Sequence, residues 1–96
     1  MDDGNGDMNT ALMLDGNAIG GELQDIFGRD MTTAVARCIA CARDVALGAM
    51  MAFTRGPGAV LRCPSCNAAI ARIVKTPAAT YIDMRGAQYL RLAAQA

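Results

Sequence analysis

Two pairs of cysteines constrain this chain more than any other feature of its sequence. Cys38 and Cys41 form the first pair, and Cys63 and Cys66 form the second after 21 intervening residues. A Cys-x-x-Cys turn directs both of its sulfurs toward one ion, and two such turns complete a tetrahedron around zinc. The spacing therefore predicts one structural Zn²⁺ ion held by four thiolates, from Cys38, Cys41, Cys63 and Cys66.

The backbone conformation of the residue after each cysteine pair also bears on this prediction. Such turns, called knuckles, often need a positive φ at that position, which Gly adopts at no steric cost. The chain has Ala42 and Asn67 there. Asn adopts the left-handed conformation readily and Ala less readily, so we expect the first knuckle to be the weaker of the two.

The apolar residues before the first pair indicate one short amphipathic helix over residues 15–27. Ile19, Leu23, Ile26 and Phe27 follow the helical period. Either Asp15 or Asn17 can cap its start, and Gly28 follows its last apolar residue, where a left-handed glycine commonly ends a helix.

After residue 30 the pattern alternates, which is typical of β-strands. Residues 45–53 read as one strand, and residues 55–58 as the turn that returns the chain toward the second cysteine pair. The predicted fold is a small α+β zinc ribbon, in which an antiparallel β-sheet with two Cys-x-x-Cys knuckles is joined to one short N-terminal helix. The β-ribbon is expected over residues 32–92.

The chain length of 96 residues fits a single small domain, predicted over residues 14–93. Residues 1–13 form an acidic, Gly-rich leader that we expect to be disordered. This leader lacks the features of a secretory signal, and the longest apolar stretch is too short to span a membrane. We therefore expect a cytoplasmic protein that contacts no membrane.

Three other uses of the four cysteines remain open. The segment Cys63-Pro64-Ser65-Cys66 is similar to a thioredoxin-type redox dithiol, although such a site needs a long helix after it. A rubredoxin-like iron site uses the same four thiolates. Disulfides suit an oxidising compartment, which the leader does not indicate.

Enzymatic activity is not expected. A zinc ion with four thiolates has no open position for a water molecule or a substrate. The chain contains no histidine, so it has neither a Ser-His or Cys-His nucleophile nor a general base that titrates near neutral pH. Its acidic residues are scattered and form no catalytic pair.

With enzymatic activity not expected, we expect a binding function, and the distribution of charge indicates which residues could take part in it. Residues 1–30 carry seven acids against Arg29, whereas residues 31–96 carry eight bases against Asp44 and Asp83. Arginines near a four-thiolate site also commonly offset its negative charge. We expect a protein-interaction or accessory role, with nucleic-acid binding as the alternative. The candidate residues for that alternative are Arg37, Arg55, Arg62, Arg72 and Lys75.

Several segments together resemble a known family of small actinobacterial zinc-ribbon proteins, described only as a domain of unknown function. The resemblance spans roughly residues 14–92 and implies a single zinc-binding domain without an assigned activity. It rests, besides the cysteine pairs, on Leu14-Asp15-Gly16-Asn17-Ala18, Phe27-Gly28, Asp30-Met31-Thr32, Val60-Leu61-Arg62-Cys63 and Asp83-Met84-Arg85-Gly86. Family members often have Gly after their cysteine pairs, so Ala42 and Asn67 are departures.

Overall fold

The structure is a computed structural model that describes residues 13–55 and 58–94. Within these residues it has one short α-helix and eight strands in two antiparallel sheets. This confirms the predicted small domain with antiparallel strands and one short helix, although the strands form two sheets and not one. The helix is α1 (Gly20–Phe27), and the strands are β1 (Met13–Asp15), β2 (Val35–Cys38), β3 (Asp44–Ala46), β4 (Met51–Arg55), β5 (Gly58–Arg62), β6 (Ala69–Lys75), β7 (Thr80–Asp83) and β8 (Ala87–Arg91).

Five strands form the larger sheet, in the order β1-β4-β5-β6-β7. Its inner face is buried and consists of small and branched apolar residues, including Ala52, Leu61 and Ile73. Side chains alternate between the two faces of a strand, so Phe53, which pairs with Val60, lies on the opposite, outer face. The core of the domain therefore lies against one face of this sheet only.

The smaller sheet has the order β3-β2-β8, and its exposed surface carries a polar cluster. Arg37 Nε donates to Asp44 Oδ1 at 2.9 Å, and the Tyr89 hydroxyl donates to the same oxygen at 2.7 Å. The hydrogen bond from Tyr89 is the main cause of the lowered pKa of Asp44. These three side chains come from β2, β3 and β8, so the cluster joins all three strands.

Helix α1 begins at Gly20, so the predicted start at Asp15 is wrong. Asp15 instead belongs to β1 and pairs with Met51, and residues 16–19 form one 3₁₀ turn. Neither Asp15 nor Ile19, the residue that precedes the helix, makes a side-chain capping bond. The predicted end is confirmed, because Gly28 has a φ of 75° and its N–H donates to Gln24 O.

The predicted single strand over residues 45–53 is also wrong, because a 3₁₀ turn at Leu47–Ala49 separates β3 from β4. Leu47 N–H donates to Ala34 O, and Gly48 N–H donates to Thr32 O. The turn buries both Leu47 and Met50, whereas Ala49 becomes exposed. The alternating pattern therefore predicts strands at the two ends of this segment but misses the turn between them, and at the second end Ala52 is buried whereas Phe53 lies on the outer face.

Two predictions fall partly outside the described residues. The disordered leader is predicted over residues 1–13, of which only Met13 is described, as the first residue of β1. The predicted turn at residues 55–58 includes residues 56 and 57, which are not described. Its two ends, Arg55 and Gly58, pair as the last residues of the hairpin between β4 and β5.

Gly86 connects the two sheets where the chain passes from β7 to β8. Its carbonyl oxygen accepts the N–H of Ile39 at 2.9 Å, and its own N–H donates to Ile70 O at 3.2 Å. A Cβ atom at this position would lie 1.9 Å from Ala69 O. No side chain fits without moving the backbone, so the close approach of the sheets requires glycine here.

Replacing this glycine tests the contact. We expect Gly86→Ala to lower the free energy of unfolding by about 1–3 kcal/mol, because the added methyl group forces the sheets apart. Gly21→Ala is the matched control, because Gly21 lies on α1 and a Cβ atom added there would meet nothing within 4 Å; it should raise stability by about 0.5–1 kcal/mol. Urea unfolding of both variants measures the difference, and equal stability of the two would contradict the role of Gly86.

Candidate metal centre

The two cysteine pairs lie in loops with the same backbone geometry. In the first knuckle, residues 38–43, Cys38 N–H donates to Arg43 O and Ala42 N–H donates to Cys38 O, both at 2.8 Å. In the second, residues 63–68, Cys63 N–H donates to Ala68 O at 2.9 Å and Asn67 N–H to Cys63 O at 2.8 Å. The hydrogen bonds join equivalent positions, so the two loops are structural copies.

The residue after each pair has the predicted positive φ, which is 64° at Ala42 and 67° at Asn67. No other non-glycine residue within residues 13–55 and 58–94 has one. The left-handed conformation costs roughly 1–2 kcal/mol for a residue with a Cβ atom, and Asn tolerates it better than Ala. The first knuckle therefore contains the larger backbone strain, as the sequence indicated.

The four sulfur atoms converge on one point. Cys38 Sγ lies 3.6 Å from Cys66 Sγ, and Cys41 Sγ lies 3.7 Å from Cys63 Sγ. All four sulfurs lie within 4.8 Å of one another, and none is in a disulfide. A regular tetrahedron with metal–sulfur bonds of ~2.3 Å has edges of ~3.8 Å. The observed distances fit such an arrangement, so the cluster can hold one metal ion.

The surroundings of Cys63 and Cys66 shift the pKa values of these two thiols in opposite directions. Burial raises the pKa of Cys63, but the backbone N–H groups of Cys66 and Ser65 and the sulfurs of Cys41 and Cys66 together lower it to about 7. The N–H of Ala68 lowers the pKa of Cys66, but partial burial and the other three sulfurs outweigh it and raise that pKa to about 12. Without a metal, Cys66 therefore keeps its proton near neutral pH, and a bound cation would be needed to hold all four sulfurs as thiolates.

The surroundings of the cluster match a four-thiolate site better than a redox dithiol. Cys38 and Cys63 are buried, Cys41 is half-buried and Cys66 is exposed. The segment after Cys66 forms strand β6, whereas a thioredoxin-type dithiol is followed by a helix. Each sulfur also lies close to a sulfur of the other pair, so the two pairs act as one group of ligands.

The structure does not bring the five basic residues predicted for nucleic-acid binding onto one surface. Arg37 lies in the smaller sheet and pairs with Asp44, whereas Lys75 Nζ lies 3.3 Å from Glu22 Oε2 of α1. Only the backbone of Arg55 is described, at the end of β4. Arg62 and Arg72 do lie close together, on the outer face of the larger sheet.

Arg62 has a structural role that the sequence analysis did not identify. Its guanidinium donates to Asn67 O at 2.9 Å and lies over the ring of Phe53, 5.9 Å from the centroid. The second knuckle therefore orients the side chain that immediately precedes its first cysteine. The only sequence signal was the position of Arg62 beside Cys63, which does not specify the contact.

The strain at Ala42 gives a testable prediction. We expect Ala42→Gly to raise the free energy of unfolding by about 1 kcal/mol in metal-loaded protein, because glycine adopts a positive φ without a steric penalty. Ala40→Gly is the control in the same loop, at an exposed position without a positive φ; it should be neutral or destabilising because glycine has more freedom in the unfolded chain. Thermal unfolding compares the two, and a lower melting temperature for Ala42→Gly would contradict the prediction.

The described part of the chain, residues 13–55 and 58–94, contains no helix that is long and apolar enough to cross a membrane.

No curated protein matches the sequence, and no solved structure does. A family model described as "Family of unknown function (DUF6510)" matches residues 8–95, which covers the metal centre and both sheets. This agrees with the predicted resemblance to a family without an assigned activity, whereas the actinobacterial origin stays a prediction. The chain therefore belongs to the DUF6510 family.

Proposed function

We propose that this protein is a non-enzymatic domain organised by one structural zinc ion, and that it acts as a protein-interaction or accessory module. The observation that supports zinc is the convergence of two equivalent Cys-x-x-Cys knuckles on one point. Four thiolates at tetrahedral distances are typical of structural zinc in zinc ribbons. The ligands are Cys38, Cys41, Cys63 and Cys66, and cysteines held as thiolates suit the reducing cytoplasm.

A structural role for the zinc ion follows from its ligand set. Four protein ligands leave no position at which a water molecule or a substrate can bind the metal. The chain contains no histidine that could serve as a general base beside it. We therefore propose that the metal stabilises a binding surface and takes part in no reaction.

Nucleic-acid binding is the second candidate function, and one observation favours it. Arg62 and Arg72 lie on neighbouring strands of the same exposed sheet face. Arginines on such a face can neutralise phosphates. Electron transfer by bound iron or by a dithiol is a further alternative, and metal analysis tests it directly.

Metal removal tests the structural role of zinc. We expect protein purified without added metal to be colourless and to contain one zinc ion per chain. A strong chelator or Cys63→Ser should unfold the domain, because structural zinc contributes on the order of 10 kcal/mol to small domains. Ser65→Ala, an exposed change in the same knuckle, should keep the metal and the melting temperature. A visible absorption band with bound iron, or a circular dichroism spectrum unchanged by the chelator, would contradict the proposal.

The interaction role has a separate test. We expect the tagged, zinc-loaded chain to capture one protein at constant stoichiometry from its source cells after nuclease treatment. Nuclease removes partners that are bridged by nucleic acid, so a retained partner contacts the protein directly. Capture of nucleic acid alone, or the loss of every partner on nuclease treatment, would favour the second candidate function.

A further inference from the structure

The outer face of the larger sheet contains a groove that the metal centre does not use. Its apolar floor includes Val60 and Val74, from neighbouring strands of the sheet, and Phe53 of the next strand lines it beneath the guanidinium of Arg62. Arg62 and Arg72 line the same cavity, whose volume is about 670 Å³. We call this cavity the outer groove. It combines an apolar floor with two positive side chains, so an occupant should match both properties.

The two arginines carry more positive charge than the carboxylate near them offsets, because the pKa of Asp83 is lowered mainly by Arg85 and only in smaller part by the charge of Arg72. Within residues 13–55 and 58–94, neither Arg62 nor Arg72 forms a salt bridge. Asp83 lies opposite Arg72 in the sheet register, but its Oδ2 accepts a hydrogen bond from Arg85 Nη2 at 2.6 Å. Two positive side chains that line one cavity favour an anionic partner.

The positions of the arginines specify the spacing of that partner's charges. Val60 pairs with Arg72 and lies two residues before Arg62, so the two arginines are diagonal neighbours across β5 and β6. Such neighbours lie ~7–8 Å apart. Alternate residues of an extended peptide are ~6.6–6.8 Å apart and point the same way. Two acidic residues at positions i and i+2 of a peptide therefore match the two arginines.

The same geometry places a third side chain on the groove floor. In an extended peptide, residue i+4 points in the same direction as residues i and i+2. It then lies beyond Arg72, where Val74 and Tyr81, which pair across β6 and β7, offer apolar contact. Arg62 already donates a hydrogen bond to Asn67 O in the free protein. Binding of the peptide therefore costs less side-chain entropy at Arg62 than at an unrestrained arginine.

A peptide fits this groove better than a nucleic acid does. Single-stranded nucleic acids stack successive bases on several aromatic side chains. Phe53 is covered by the guanidinium of Arg62, so Tyr81 is the one largely exposed ring that the described residues place on this face. The apolar floor has no side-chain donors for phosphate oxygens, whereas it can bury an aliphatic side chain.

We propose that the outer groove binds an extended acidic segment of a partner protein, with acidic residues at i and i+2 and an aliphatic residue at i+4. The carboxylates pair with Arg62 and Arg72, and the aliphatic side chain packs on Val74 and Tyr81. This assignment rests on the proposed protein-interaction role and gives it a surface and a class of partner.

Fluorescence anisotropy with a synthetic probe tests the proposal. The probe is a labelled peptide, Ser-Glu-Ser-Glu-Ser-Leu-Ser, titrated with the zinc-loaded full chain. We expect binding that weakens with added salt and falls at least about tenfold when both Glu residues of the probe are replaced by Gln. The double variant Arg62→Ala/Arg72→Ala should lose at least about tenfold in affinity for the same reason. The matched control Arg43→Ala/Arg91→Ala removes the same charge from exposed residues outside the groove and should change affinity by no more than about twofold.

Three results would overturn the proposal: no binding of the probe, equal affinity in the two double variants, or tighter binding of an oligothymidylate of the same net charge. Thermal unfolding confirms that each variant is folded before it is titrated. The capture experiment separates this proposal from the function on which it rests. If Arg62→Ala/Arg72→Ala still captures the protein partner, the interaction role stands and the partner binds another surface.

Discussion

The convergence of the four cysteine sulfurs is the constraint on which the rest of the structure depends, because it lies where the two sheets meet. Cys38 ends β2 of the smaller sheet, and Cys63 directly follows β5 of the larger one. A cation bound by both pairs would cross-link the sheets at this point. Gly86 lies beside it and connects the same two sheets through its backbone. The sulfur cluster that can hold a metal ion and a close backbone contact thus lie at the same junction.

The composition of the core explains why such a junction is needed. Many of the buried residues are small; they include Ala34, Ala36, Ala52, Ala59 and Ala71. Burial of apolar surface contributes ~0.8 kcal/mol per CH₂ group, so an alanine contributes far less than a leucine. A domain of this size buries a modest share of its chain in any case. A metal ion bound by the four sulfurs would add stability that does not depend on buried apolar area.

Local features of the sequence could be predicted, whereas features that depend on distant contacts could not. The spacing of the cysteines predicted the ligand cluster, and Ala42 and Asn67 have the positive φ that a knuckle needs. The helix end at Gly28 was likewise a local signal. The helix start was not, because Gly16 N–H donates to Met50 O, more than thirty residues away. The turn at Leu47–Ala49 depends in the same way on the carbonyls of residues 32 and 34. An alternating pattern also does not tell which sheet a strand joins, so the pairing of β8 with β2 could not be read from the sequence.

The metal centre and the outer groove are linked through consecutive residues of one strand. On β5 and just beyond it, Leu61 and Cys63 point toward the buried side, so Arg62 between them must point outward. The turn that brings Cys66 to the sulfur cluster also presents Asn67 O to the Arg62 guanidinium. The backbone that positions the sulfur cluster therefore also fixes a charged side chain on the opposite face. The outer face lies opposite the core, so its apolar floor and its two arginines are available for the binding that we propose.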